Sequence, residues 1–292
     1  MLLPELLAEP DEQFAWVCAP FLARQCITLV HGKKSIGKSP LSWELCGAVA
    51  TGSDFLSTYP TREGRVLYLE KDTPKIVLKE RLRKIPPPYG YWDMEFILDM
   101  SIDLANPRHP CHSKLHEIEI TRGPFDLVCW NPLSKLYIGS EGDVIARVYD
   151  AMQRLFPRAA HYISSHDRKV DRSKDARTID TEEHSGRQEW VNLAANVFRL
   201  KDNGHHLTLV HTGCQIAQLL PPLELELYRG NSGVRLYERI SDVEALVAAA
   251  PGRTKKERVE HVARELGRTP RTIHRAIADS LLERLPSLVT SE

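Results

Sequence analysis

Gly32-Lys33-Lys34-Ser35-Ile36-Gly37-Lys38-Ser39 carries the spacing G-x-x-x-x-G-K-S. An apolar run precedes it, Cys26-Ile27-Thr28-Leu29-Val30, and residues 41–50 follow with helical character. Strand, glycine loop and helix are the context in which this spacing folds into an anion cradle. The glycines let backbone N–H groups turn inward, and the positive end of the next helix faces the same point. In this reading Gly32, Lys33, Lys34, Ser35, Ile36 and Gly37 wrap a polyphosphate. Lys38 reaches the terminal phosphates, and the Ser39 hydroxyl holds Mg²⁺. The cofactors expected are ATP and Mg²⁺.

Outward from the loop, apolar runs alternate with helical spacing. Arg65-Val66-Leu67-Tyr68-Leu69 predicts a second strand. A charged helix follows over about 75–84, and Pro86-Pro87-Pro88 stops it. Strands are expected over 96–100, 125–130 and 161–165, and helices over 112–122 and 144–155. This alternation implies an α/β chain with a mostly parallel, doubly wound sheet and ligands at the carboxyl ends of its strands. Residues 167–187 break the pattern with a polar stretch. A helix over 190–195 follows, then strands over 197–200 and 206–210, joined as a hairpin at Asp202-Asn203-Gly204.

The 292 residues are 42% hydrophobic, enough for a sizeable core and a small second domain. Lys and Arg balance Asp and Glu at 39 each, so any contact with nucleic acid must be local rather than a global basic field. Six cysteines form no C-x-x-C pair, which points to reduced, packed thiols in a cytoplasmic protein and not to a disulfide frame or zinc site. No signal peptide or membrane span fits.

From about residue 241 the composition turns basic. Residues 256–266 have helical apolar spacing, Gly267 marks a stop, and Thr269-Pro270 starts a second helix over 271–282. The expected division is a core over 1–240 and a small helix-turn-helix-like domain over 241–292. Arg271 and Arg275 lie on its second helix, facing nucleic acid in one reading; in the other the hairpin only packs or oligomerises.

Three strand ends hold candidate chemistry. Glu70 closes the second strand, with Asp72 close by. A carboxylate there can orient or deprotonate the water that attacks a γ-phosphate; the plainer reading is a solvated strand-end acid. Asn131 follows Val128-Cys129-Trp130, where nucleotide hydrolases usually place an Asp for the Mg²⁺ shell. Its amide oxygen can accept but carries no charge, so metal attraction and hydrolysis should drop. His166 follows Ser164-Ser165 and is placed to hydrogen-bond the γ-phosphate, or is a plain surface histidine. Beyond it, Arg168, Lys169, Arg172 and Lys174 can meet nucleic-acid phosphates; acids nearly balance them, so a merely solvated loop is the other reading.

The order of these motifs resembles the RepA-like ATPases, plasmid and phage replicative helicases of the RecA/DnaB type. The likeness runs from the glycine loop through Arg65 to Asp72 with Arg81-Leu82-Arg83, then Asn131-Pro132-Leu133-Ser134-Lys135-Leu136 and Ser165-His166-Asp167-Arg168-Lys169. It implies a RecA-like core and a homo-oligomeric ring, typically a hexamer, with ATP between subunits and single-stranded DNA in the centre. Under it Glu70 is the catalytic carboxylate, His166 couples γ-phosphate to DNA, and the loop after His166 lines the pore. The chain departs from the family in several places. The metal-side Asp is Asn131, the His-His pair is Ser165-His166, and Pro40 stands where Thr is usual. Counting from Ser185-Gly186-Arg187-Gln188 puts Ala195 at the arginine-finger position, with Arg187 and Arg199 as substitutes. Such a finger is worth about 10³–10⁵ in turnover. Two functions follow: a DNA motor of a mobile element, or a hydrolysis-poor, ATP-binding regulator whose C-terminal helices bind DNA or a protein partner.

Overall fold

The computed structural model describes residues 15–83, 94–139, 144–167, 188–203, 206–216, 218–230, 233–238, 243–252 and 254–265, with Pro270, Ile273, His274 and Ile277 beyond them. A small antiparallel pair, β1 (Trp16–Cys18) and β2 (Leu22–Ala23), precedes the central strand β3 (Ile27–Gly32). Then come α1 (Lys38–Thr51), β4 (Val66–Glu70), α2 (Lys75–Arg83), β5 (Met94–Ile97), α3 (Cys111–Arg122) and β6 (Leu127–Asn131). After a 3-10 turn at Leu133–Lys135 follow α4 (Val144–Leu155), β7 (Ala160–His166), α5 (Gln188–Leu193), β8 (Asn196–Asp202) and β9 (Leu207–Cys214). The series continues with β10 (Leu223–Gly230), β11 (Gly233–Glu238), α6 (Val243–Ala249) and α7 (Lys255–Glu265).

Nine strands form one sheet in the order β11-β10-β9-β8-β3-β7-β6-β4-β5. From β5 to β8 all neighbours are parallel, and from β8 to β11 they are antiparallel. Every residue of β3, β4 and β6 is buried, which is why their sequences read as unbroken apolar runs. Side chains alternate between two cores. Val30, Tyr68 and Cys129 meet Leu41 and Leu45 of α1 and Leu78 of α2 on one face. Leu29, Leu69 and Trp130 meet Leu115 of α3, Val148 of α4 and Trp190 of α5 on the other. The connection after β3 therefore turns to one face and the connection after β7, its neighbour, to the opposite face. A crevice opens at such a switch point, beyond the carboxyl ends of the strands.

The expected strands and helices of the core are all present, with shifted ends. Strand 96–100 ends early, at Ile97, because the Lys71 ammonium takes the carbonyls of Leu98 (3.2 Å) and Met100 (2.5 Å) and draws them off the ladder. Helix α1 starts three residues before its apolar spacing does, and Pro40 sits in its first turn, where a missing N–H breaks no helical bond. The expected β8–β9 hairpin is present and pairs Asp202 with Leu207, while Gly204 of its expected turn lies outside the described residues. Sequence reasoning did not foresee β1, β2, β10, β11 or α6. Leu223 and Leu225 of β10 point inward in a Leu-Glu-Leu-Glu alternation that marks a half-buried strand.

Near the C-terminus, α7 opens with a reciprocal cap. Glu257 N–H donates to Thr254 Oγ1 and Thr254 N–H to the Glu257 carboxylate, both at 3.2 Å. Val259, Val262 and Ala263 pack with Val247, Ile273 and Ile277 in a small separate core. Arg271 and Arg275 lie outside the described residues, as do Arg168, Lys169, Arg172 and Lys174. Among the described residues no helix is long and apolar enough to cross a membrane.

Candidate functional site

The loop between β3 and α1 is shaped by close approach. A Cβ on Gly32 would lie 2.7 Å from the Leu200 carbonyl oxygen of β8, so only glycine lets the loop leave the sheet there. Ser35 (φ 64°) and Gly37 (φ 121°) then turn the backbone through positive φ. Helix α1 begins at Gly37 with no side-chain cap and no acid in its first turn. Its unpaired N–H groups and its positive end are left to an external anion. Lys33, Lys34 and Ser35 are exposed at the lip, Ile36 is buried beneath, and Ser39 is half-buried. Lys38 folds back under the loop and donates to the carbonyls of Gly32 and Lys33, both at 2.7 Å. Burial pushes its ammonium down to about 8, against the pull of Asp167 and Asp72. One turn on, Ser42 donates to the Ser39 carbonyl (2.9 Å) and meets the Tyr68 hydroxyl (2.9 Å), which pins the start of α1 to β4. An uncapped helix start, a buried lysine and an accessible serine hydroxyl suit a polyphosphate with its magnesium ion.

Glu70 ends β4 beside Asn131 of β6, its register partner. It is 1% exposed, which overturns the solvated-acid reading. One carboxylate oxygen accepts from the N–H groups of Asp72 (2.9 Å) and Thr73 (3.0 Å), and the other from the Asn131 amide nitrogen (2.7 Å). The Asn131 amide oxygen accepts from the Ser164 hydroxyl of β7. Ser164, Asn131 and Glu70 thus form a chain across three strand ends. The amide oxygen expected to accept on the metal side thus already takes one bond, from Ser164.

His166 pairs in register with Gly32, directly beside the loop. Its Nδ1 is buried without a hydrogen-bond partner. Burial, then the nearby Lys38 and Lys34 charges, lower its pKa against Asp72 and Asp167, so the ring is neutral at neutral pH. A neutral imidazole beside the loop can offer one hydrogen bond without adding charge.

Behind these lies a cluster the sequence did not reveal. The Asp167 carboxylate accepts from His31 Nδ1 (2.8 Å) and from the Arg199 guanidinium (3.3 Å). Its backbone N–H donates to the Gly32 carbonyl (3.2 Å). Burial raises the Asp167 carboxyl, but His31, Arg199 and Lys38 outweigh it and hold it below its ordinary value. Arg199, a candidate finger by sequence, has a side chain only 6% exposed and ion-paired within its own chain. Ala195, the counted finger position, is also buried, its N–H bonded to the Ile27 carbonyl (2.9 Å). Arg187 lies outside the described residues. One signal could have found the cluster: His31 and Arg199 stand inside apolar strand runs, where a buried charge needs a partner.

A parallel, doubly wound sheet with a glycine loop at its switch point and a carboxylate on a nearby strand end is a P-loop ATPase core of RecA-like fold. The chain belongs to the AAA domain family, whose model matches residues 2–169, more than half of its length. Among solved structures it is similar to the ATPase domain of G40P, with 9% identity, a TM-score of 0.54, and coverage of 72% of this chain and 84% of that one. It is also similar to a DnaB-like replicative helicase described with its primase interactions, with 12% identity, a TM-score of 0.53 and coverage of 73% of this chain. The match spans 57% of that helicase. A search of curated protein sequences returned no match.

Proposed function

We propose that the chain is a ring-forming, RepA-like ATPase that acts on single-stranded DNA, as a helicase or replication-associated motor of a mobile element. The carrying observation is the uncapped start of α1 over Lys38, with the buried Glu70 beyond the intervening β7 and β6. The loop N–H groups and Lys38 bind phosphate oxygens, and Ser39 holds the ion. Bound MgATP supplies a γ-phosphoryl group open to attack by water. Glu70 orients that water and accepts its proton. His166 and the basic residues after it, Arg168, Lys169, Arg172 and Lys174, relay the state of the site to DNA. In this reading residues 1–240 are the motor, and residues 241–292 hold DNA or a protein partner through Arg271 and Arg275.

A second reading has support of its own. Asn131 is uncharged and Ala195 cannot act as a finger, which favours an ATP-binding regulator with feeble turnover. Steady-state ATP hydrolysis with and without single-stranded DNA separates the two. The motor requires DNA-stimulated turnover that Lys38→Ala abolishes together with ATP binding. Glu70→Gln should lower turnover about 10²–10⁴-fold while binding survives. Low turnover indifferent to DNA, alongside tight ATP binding, selects the regulator. Particle symmetry with nucleotide present tests the ring.

A further inference from the structure

The amide at Asn131 does something an aspartate could not. Its oxygen takes the Ser164 hydroxyl and its nitrogen donates to Glu70 at 2.7 Å. The three residues are 1%, 7% and 1% exposed for Ser164, Asn131 and Glu70, so water does not compete for these bonds. An amide carries a donor and an acceptor on one planar group, whereas an ionised carboxylate only accepts. Glu70, which only accepts, sets which way the amide faces; the Ser164 hydroxyl then donates to its other end and anchors it, and the anchored amide sets where Glu70 stands.

We propose that Asn131 is a positioning residue for Glu70, and that the loss of a metal-side acid at this strand end is the condition for holding Glu70 as a lone carboxylate. The name of general base for Glu70 rests on the function proposed above; the positioning does not. An aspartate at 131 would set two carboxylates where one hydrogen bond now joins them. Like charges that close do not both ionise, so the pair keeps a proton and resists losing it as pH rises.

Exchanging the two groups gives the opposite expectation. In Glu70→Gln with Asn131→Asp, the amide oxygen at position 70 still accepts from the N–H groups of Asp72 and Thr73. The amide nitrogen at position 70 donates to the new carboxylate, and the second oxygen of that carboxylate accepts from Ser164. The single substitutions differ: Asn131→Asp puts acceptor against acceptor, whereas Glu70→Gln is met by a flip of the Asn131 amide, which the Ser164 hydroxyl accommodates by accepting instead of donating. The double substitution restores the chain that Asn131→Asp breaks.

The test uses full-length, ligand-free protein and thermal melting from pH 5 to 8.5, for the wild type, both single variants and the double variant. Asn131→Asp should lower Tm by roughly 5 °C at pH 8, with a smaller deficit at pH 5. The double variant should melt near the wild type, with the pH trend gone. Additive deficits in the double variant, or an Asn131→Asp deficit that is flat with pH, overturn the proposal. In ATPase assays, Asn131→Asp should lose turnover at neutral pH, because the proton held by the pair takes Glu70 from its role as base, and should lose more toward acid. An increase at neutral pH instead identifies residue 131 as a weakened metal-side position and overturns the proposal. Coupled melting in a protein that hydrolyses no ATP leaves the positioning intact and removes only the motor function.

Discussion

Glu70 and Asp167 are both acids at strand ends near the same glycine loop, and they are held by opposite means. Three neutral N–H groups hold Glu70, from Asp72, Thr73 and Asn131. A guanidinium and an imidazole hold Asp167, from Arg199 and His31. Neutral donors fix where a carboxylate sits without placing a counter-charge beside it. Charged partners fix the charge as well, because neutralising the acid takes counter-charge from a buried cation. Under the proposed function Glu70 is the acid that does the chemistry. Asp167 is arranged to hold, and it ties β3, β7 and β8 at the root of the loop.

The largest expected effect separates the two acids by stability. Asp167→Asn removes a buried counter-charge from Arg199 and should cost about 3–5 kcal/mol in urea unfolding. Glu70→Gln removes no counter-ion, and a flip of the Asn131 amide against the Ser164 hydroxyl meets the new donor, so it should cost only about 1 kcal/mol. Its larger damage should appear in turnover. Equal costs for the two variants would break the comparison.

Acid titration sharpens it. The Asp167 carboxyl lies below its ordinary value in the folded chain, so its contribution to stability is fully present above the unfolded pKa of about 4 and is lost as pH falls through the folded pKa. Urea midpoints for the wild type should therefore fall below about pH 4, and Asp167→Asn should flatten that fall. An unchanged acid limb in the variant would mean that His31 and Arg199 do not act on Asp167 in solution.

The sequence made one half of this comparison legible. Gly32 to Ser39, Glu70, Asn131 and His166 all stand at ends of apolar runs, and a parallel sheet brings such ends together. Pattern and topology alone placed them. The bond from Asn131 to Glu70 was not legible, because it depends on the register that sets β4 beside β6. His31, Asp167 and Arg199 escaped for another reason. Each looked locally like something else: a polar residue in an apolar strand, one acid in a mixed-charge stretch, a candidate finger. Only the register of β7 and β8 on either side of β3 makes them one cluster. The antiparallel edge strand β10 was missed although its alternation is visible, because Glu224 and Glu226 are poor strand formers and dilute the apolar signal.

The smallest effect separates the two acids at Lys38. Its ammonium sits at about 8 in the ligand-free chain, where burial lowers it and Asp167 and Asp72 hold it up. An incoming polyphosphate favours the charged form, so ADP affinity should be level below about pH 8 and fall above it by about tenfold per pH unit, or 1.4 kcal/mol. Calorimetry from pH 6.5 to 9.5, in buffers of different ionisation enthalpy, should show net proton uptake near and above pH 8. Lys38→Arg keeps its charge throughout and should remove the inflection. Asp167→Asn takes away one of the charges that support the ammonium and should move the inflection to lower pH. Glu70 is not among the groups acting on Lys38, so Glu70→Gln should leave the inflection in place. A shift of the same size in both variants would show that the two carboxylates share one electrostatic environment, and the division between a held acid and a working acid would fail.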